Sequence, residues 1–314
     1  MLILAGLIVG WKSLSHATLF TRITAEQGAL QYDLKSNEGN GWYTEPGTDY
    51  RFKVGFKQGE RQSADPILVA TLKSTTAEHF AGNSALQLQI DARSETKSKG
   101  ATYKVAVASV KPKDPFSPSV SEPREWFHGF AMKLDPGYYK LPAGAGQEVF
   151  FEQFHQGSPF HPPISLAIVN PTDCAAMGWK DAGPDGHFAL VLIDDDHSPL
   201  TSLPGKPEYH DLGPVILGQW IRWVVRVKPS PSKPDGAITI YMNGSAKLDL
   251  SGLKVGYDRG NPQYTTHKPQ SNFDYVDVML YRPNGDNFQR VFYDEIRFAD
   301  TLKDASVPSS LPGD

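Results

Sequence analysis

The stretch WIRWVVRVKPSPSKPDGAITIYMNG, Trp220 to Gly244, decides the fold. Two runs rich in Val, Ile and aromatic residues, WIRWVVRVK and AITIYM, flank a segment of Pro, Ser, Asp and Gly. Runs of this length bounded by turn formers read as strands. The second ends on Asn243-Gly244, a pair that tolerates the positive φ of a tight hairpin turn. Asn243-Gly244-Ser245 is also a glycosylation sequon, but the turn alone explains it. Trp220 and Trp223 are an odd number apart, so they leave the strand on opposite faces.

The same signature recurs on both sides. ALQLQID (85–91) and YKVAVASV (103–110) alternate with period two. WFHGFAMKL, EVFFEQFH, ISLAIV, HFALVLID, YVDVMLYR and RVFYDEIRF are further strand runs between turn-rich segments. Strands in series without helical periodicity between them predict an antiparallel sandwich, not βαβ units. KPKDPFSPSVSEP (111–123) and DDDHSPLTSLPGKPEYHD (194–211) read as loops, and SVPSSLPGD as a frayed tail. One domain therefore spans residues 20–302, between a leader at 1–19 and a tail at 303–314.

Composition narrows the function. The 314 residues carry a formal charge of −4, without the basic excess of nucleic-acid binders. The single cysteine, Cys174, rules out an intrachain disulfide and multi-cysteine zinc sites. Leu2 to Trp11 is apolar but too short to span a bilayer. Ser15 to Ala17 ends in a small residue of the kind signal peptidase favours, yet no Lys or Arg precedes the run. A secretory signal, a lipid-facing anchor and a first strand all remain open for it. No phosphate loop, G-x-S-x-G elbow or H-E-x-x-H helix is present.

Gln153 and His155 in EVFFEQFH are two apart, so on a strand they share one face, in the row of Val149 and Phe151. Tyr275 and Tyr281 in YVDVMLY are six apart and also share a face, together with Asp277.

Four segments resemble the polysaccharide lyases of the heparin lyase I and glucuronan lyase group and, more distantly, the alginate lyases of the same fold. EWFHGFAMKL is similar to the strand before the catalytic strand, and EQFH to the Gln-x-His strand. Residues 212–244 are similar to the following hairpin, and residues 275–300 to the Tyr-Phe-Lys-x-Gly-x-Tyr strand and the final strand. The resemblance implies an all-β, concanavalin A-like jelly roll of two antiparallel sheets with a concave substrate groove. It implies β-elimination on an acidic polysaccharide by a secreted or periplasmic monomer, with no nucleic-acid or membrane partner and no required cofactor. In such a reaction the proton at C5 of a uronate leaves while O4 departs. The carboxylate must be neutralised and two proton transfers served.

The resemblance assigns Gln153, His155 and Tyr275 to catalysis. Lys104, Arg282, Tyr281 and Arg93, the last in a segment read as a loop, become candidates for substrate binding. It gives a structural calcium to Asp294, with Glu295. Asp194-Asp195-Asp196 lacks calcium-loop spacing and reads as a solvated acidic turn. Asp277 stands where the family strand carries lysine, and it would repel a uronate unless paired. A net acidic chain without clustered arginine favours a glucuronan-like polymer over heparin.

Overall fold

The computed structural model describes residues 19–23, 31–33, 43–44, 50–57, 68–92, 102–109, 125–139, 141, 148–156, 160–194, 207–262, 264, 275–283 and 288–309. In chain order the strands are β1 (Leu19–Ile23), β2 (Gln31–Asp33), β3 (Tyr43–Thr44), β4 (Tyr50–Lys57), β5 (Leu68–Thr75), β6 (Ala85–Ala92), β7 (Thr102–Ser109), β8 (Trp126–Tyr139), β9 (Val149–His155) and β10 (Ile164–Val169). Helix α1 (Pro171–Ala176) precedes β11 (His187–Leu192), β12 (Glu208–Pro214), β13 (Trp220–Lys228), β14 (Gly236–Met242), β15 (Ser245–Leu253), β16 (Tyr275–Pro283) and β17 (Phe288–Ala299). Helix α2 (Leu302–Ala305) follows.

The strands form two antiparallel sheets, the jelly-roll sandwich expected. One sheet has the order β15-β14-β13-β8-β17-β6-β5-β2, with β1 added on β17; the other has the order β12-β11-β10-β9-β16-β7-β4-β3. Their facing residues make one apolar core, in which Phe130, Trp223 and Ile240 of the first sheet meet Phe151, Phe154, Phe188 and Val278 of the second. Each strand run read from the sequence lies in a strand. The β14–β15 hairpin turns at Asn243 (φ 53°) and Gly244 (φ 83°), as Asn-Gly requires. Trp223 is fully buried, whereas Trp220 meets Phe80 edge-on at 5.8 Å.

Three differences have physical reasons. β12 takes the end of the stretch read as a loop; as an edge strand it stays short and polar. Helix α1 begins at Asn170, whose side chain accepts the Asp173 N–H at 3.0 Å, with Pro171 in the first turn. The segment read as a tail carries α2, and Ala305 and Val307 beyond its start are buried. The apolar leader, residues 1–18, lies outside the described residues, as do residues 111–123 and Asp195-Asp196. Among the described residues no helix is long and apolar enough to cross a membrane.

Candidate active site

Strands β9 and β16 are neighbours at the middle of the eight-stranded sheet. Their register sets Asp277 opposite Gln153 and Tyr275 opposite His155. On β16, Val276, Val278 and Leu280 enter the core, so alternation gives Asp277 and Tyr281 to the outer face. The shared face expected for Gln153 and His155, and that of Asp277 and Tyr281, is the outer face of this sheet.

One expectation fails. Val149 and Phe151 do not continue the row of Gln153 and His155, because they lie in the core. The registers with β10 and β16 both slip between Phe150 and Glu152. This bulge reverses the phase: Phe151 and Glu152 both turn inward, while Phe150, Gln153 and His155 turn outward. Phe150 stacks on Tyr281 with centroids 5.7 Å apart. From the opposite sheet, the Tyr293 hydroxyl reaches the carbonyl oxygens of Phe151 (2.9 Å) and Met279 (2.7 Å). It thus serves backbone acceptors at the slip. Burial raises the Tyr293 phenol well above its usual range, so it stays a donor.

Glu152 meets His128 of β8 between the sheets, Oε1 against Nδ1. Burial pushes the Glu152 carboxyl well above the usual carboxylate range and drives the His128 imidazole down to about 3. The pair is therefore uncharged, with the carboxylic acid donating to Nδ1. It is a structural wedge under the bulge.

On the outer face, Asp277 Oδ2 lies 3.3 Å from His155 Nε2. Asp277 is fully covered and the His155 side chain is 11 % exposed. Gln153 is 4 % exposed, and Ser165 faces it from β10. Ser165 Oγ is buried without a hydrogen-bond partner. Just past His155, the Gln156 amide clasps the backbone of Tyr257: Oε1 accepts its N–H at 2.6 Å and Nε2 donates to its carbonyl at 3.2 Å. This ties the end of β9 to the segment that packs Tyr257 and Tyr264 on Phe160.

An amide, an imidazole and a carboxylate thus share one sheet face, which suits binding and proton transfer on a polar substrate. A model of the polysaccharide lyase family matches residues 37–297, most of the chain. The chain is a polysaccharide lyase. Among curated proteins none matches by sequence. The lyase is similar in structure to the endo-β-1,4-glucuronan lyase of the fungus Trichoderma reesei. That match has a TM-score of 0.53 at 15 % identity, covering 80 % of this chain and 97 % of that one. It is also similar to an alginate lyase of Pseudomonas aeruginosa, at a TM-score of 0.40 and 14 % identity over 68 % and 82 % of the two chains.

Of the residues expected to bind substrate, Lys104 of β7 lies opposite Tyr281 in register and Arg282 opposite Tyr103; Arg93 lies outside the described residues. Register also brings Arg51 of β4 into the row of Ala108, Asp277 and Gln153; no motif marks it in the sequence. Ser165 was missed too, although it is the one polar residue in ISLAIV. Asp294, given a calcium by resemblance, has Oδ2 accepting the N–H groups of Phe80 (3.1 Å) and Ala81 (2.9 Å) and Oδ1 accepting that of Glu295 (2.8 Å). Glu295 pairs with Arg297 at 2.7 Å. Among the described residues no three His, Cys, Asp or Glu side chains gather as a metal site. Through the first two of these bonds Asp294 holds the start of the 80–84 turn.

Proposed function

We propose that the lyase cleaves a polymer of uronic acid, glucuronan-like in preference to heparin or alginate, by β-elimination outside the cell. The carrying observation is the outer-face group of Gln153, His155 and Asp277, with Tyr275 opposite His155 in register. Gln153 donates its amide N–H to the substrate carboxylate, and Lys104 or Arg282 adds positive charge nearby. Tyr281, stacked on Phe150, offers an aromatic surface to a sugar ring. His155 and Tyr275 divide the remaining work between charge stabilisation and proton transfer. The C5 proton passes to the base, its bonding pair becomes the C4–C5 double bond, and the C4–O4 bond breaks. O4 leaves with a proton from the acid. The product carries a 4,5-unsaturated uronate end.

The test is ultraviolet absorbance during incubation with glucuronan, alginate and heparin. Absorbance growth on glucuronan, abolished in Tyr275→Phe, is expected. Binding to glucuronan with no new absorbance would overturn the proposal and leave a carbohydrate-binding protein. New reducing ends without absorbance would make the chain a hydrolase.

A further inference from the structure

We propose that Asp277 is a positioning residue that holds His155 as an imidazolium on the substrate face, so that His155 supplies positive charge to the substrate and is not the base. The inference rests on the lyase reading above and assigns the role left open there.

The geometry carries it. Asp277 has no solvent exposure, and its Oδ2 stands 3.3 Å from His155 Nε2. The two residues occupy a diagonal on adjacent strands, since Asp277 is opposite Gln153 and His155 is two residues further along β9. A carboxylate removed from water is strongly destabilised unless a cation or donors meet it. A histidine at this distance meets part of that demand by taking a proton, and the anion in turn favours its charged form. The field of Asp277 reaches His128 on the far side of the sheet and favours its proton too, though burial prevails there.

Two described neighbours of the pair carry no charge that opposes this assignment. Tyr275 is opposite His155 in register, and Ser165, next to Gln153 on β10, is neutral. Behind the sheet, His128 and Glu152 form the uncharged pair. Arg51, two strands beyond Asp277 in the same row, and Lys104, opposite Tyr281, are positive charges placed by register.

A charged imidazole beside the Gln153 amide opposes the negative charge that builds on a uronate carboxylate as its C5 proton leaves. It cannot at the same time accept that proton. The base is then another group, for which Tyr275, opposite His155, is the candidate. Asp277 is thereby part of the charge balance of the site: repulsion of the substrate carboxylate is cancelled because the aspartate meets the substrate as half of a pair.

The experiment is a nuclear magnetic resonance titration of the imidazole signals in the full chain, with the His155 signal assigned by its loss in His155→Gln. In the wild type its protonation midpoint is expected above the ordinary histidine value of about 6.5. In Asp277→Asn it falls by about one pH unit or more, and Asp277→Glu restores part of the shift. In the pH profile of kcat/KM, activity falls as pH rises through that midpoint, and Asp277→Asn moves the falling limb down by the same amount. KM is expected to change less than kcat. A wild-type midpoint at or below the ordinary value would overturn the inference without need of any variant. So would an unshifted midpoint in Asp277→Asn, or an activity that rises with pH through the midpoint. The titration reads the pairing even if no uronate polymer is cleaved, so loss of the lyase reading and loss of this inference are separate results.

Discussion

β9 contributes to two histidine–carboxylate pairs that lie on opposite sides of one sheet. Glu152 joins His128 inward, and His155 joins Asp277 outward. The inner imidazole is packed among Phe130, Phe154 and Phe298, where burial disfavours its charged form. The outer pair sits in a row with Gln153, Ser165 and, by register, Arg51. Both carboxyls are fully covered. What separates the pairs is therefore the polarity of their surroundings, not the depth of burial of the acid. The inner pair is a neutral hydrogen bond that shapes the strand, and the outer pair is charge held ready for a ligand.

Substitutions can break or sharpen this contrast. The largest effect on stability is expected from Glu152→Ala, which strands a buried imidazole and opens a cavity, at a cost of about 3 kcal/mol in denaturant unfolding. Glu152→Gln keeps both a donor and the volume, and is expected to cost under about 1 kcal/mol. A loss of roughly 3–5 kcal/mol in Glu152→Gln would instead mark an ion pair and erase the contrast. Tyr293→Phe removes the hydroxyl at the bulge and is expected to cost about 1.5 kcal/mol, with a drop in kcat as Gln153 and His155 lose their placement.

Asp294 gives a pH signature. Burial raises its folded-state value to about 6 from an ordinary 3.8, so between those values the folded chain binds more protons than the unfolded one. Its contribution to stability is full below that window and is lost as pH rises through it. Asp294→Asn should flatten this part of a plot of unfolding free energy against pH. The smallest stability effect belongs to His155→Gln, within about 1 kcal/mol of wild type, while turnover of the proposed substrate is expected to be abolished. Equal losses of stability at His155 and Glu152 would show that the two pairs do the same job.

The sandwich was legible because period two and turn residues are local signals. β9 shows their limit. Counting by twos from Val149 through Phe151 to Gln153 crosses the bulge, and nothing in EVFFEQFH marks where the phase reverses. The slip is held from other strands, by Tyr293 of β17 and His128 of β8, which lie outside the run itself. The pairing of Gln153 and His155 on one face survived because both lie beyond the bulge. The polar residues inside apolar runs, Glu152, Ser165 and Asp277, carried more information than their number suggested: each was buried, and each sits at the site or directly beneath it. The edge strand β12 was hard to see because EYHDLGP is polar and has little apolar face on which alternation can register.

Gly129 of β8 lies directly under the carbonyl of Ala305, with no room for a methyl group between them. Ala305 also packs with Phe127, Val224 and Ala299, and the Ser306 and Val307 carbonyls receive Arg297 and Arg222. Helix α2 and the two residues after it thus form a lid screwed onto the back of the sandwich. Shortening an expression plasmid to stop at residue 302, a natural choice if the end is judged dispensable, would lay bare a greasy patch and take one carbonyl acceptor from each of two arginines.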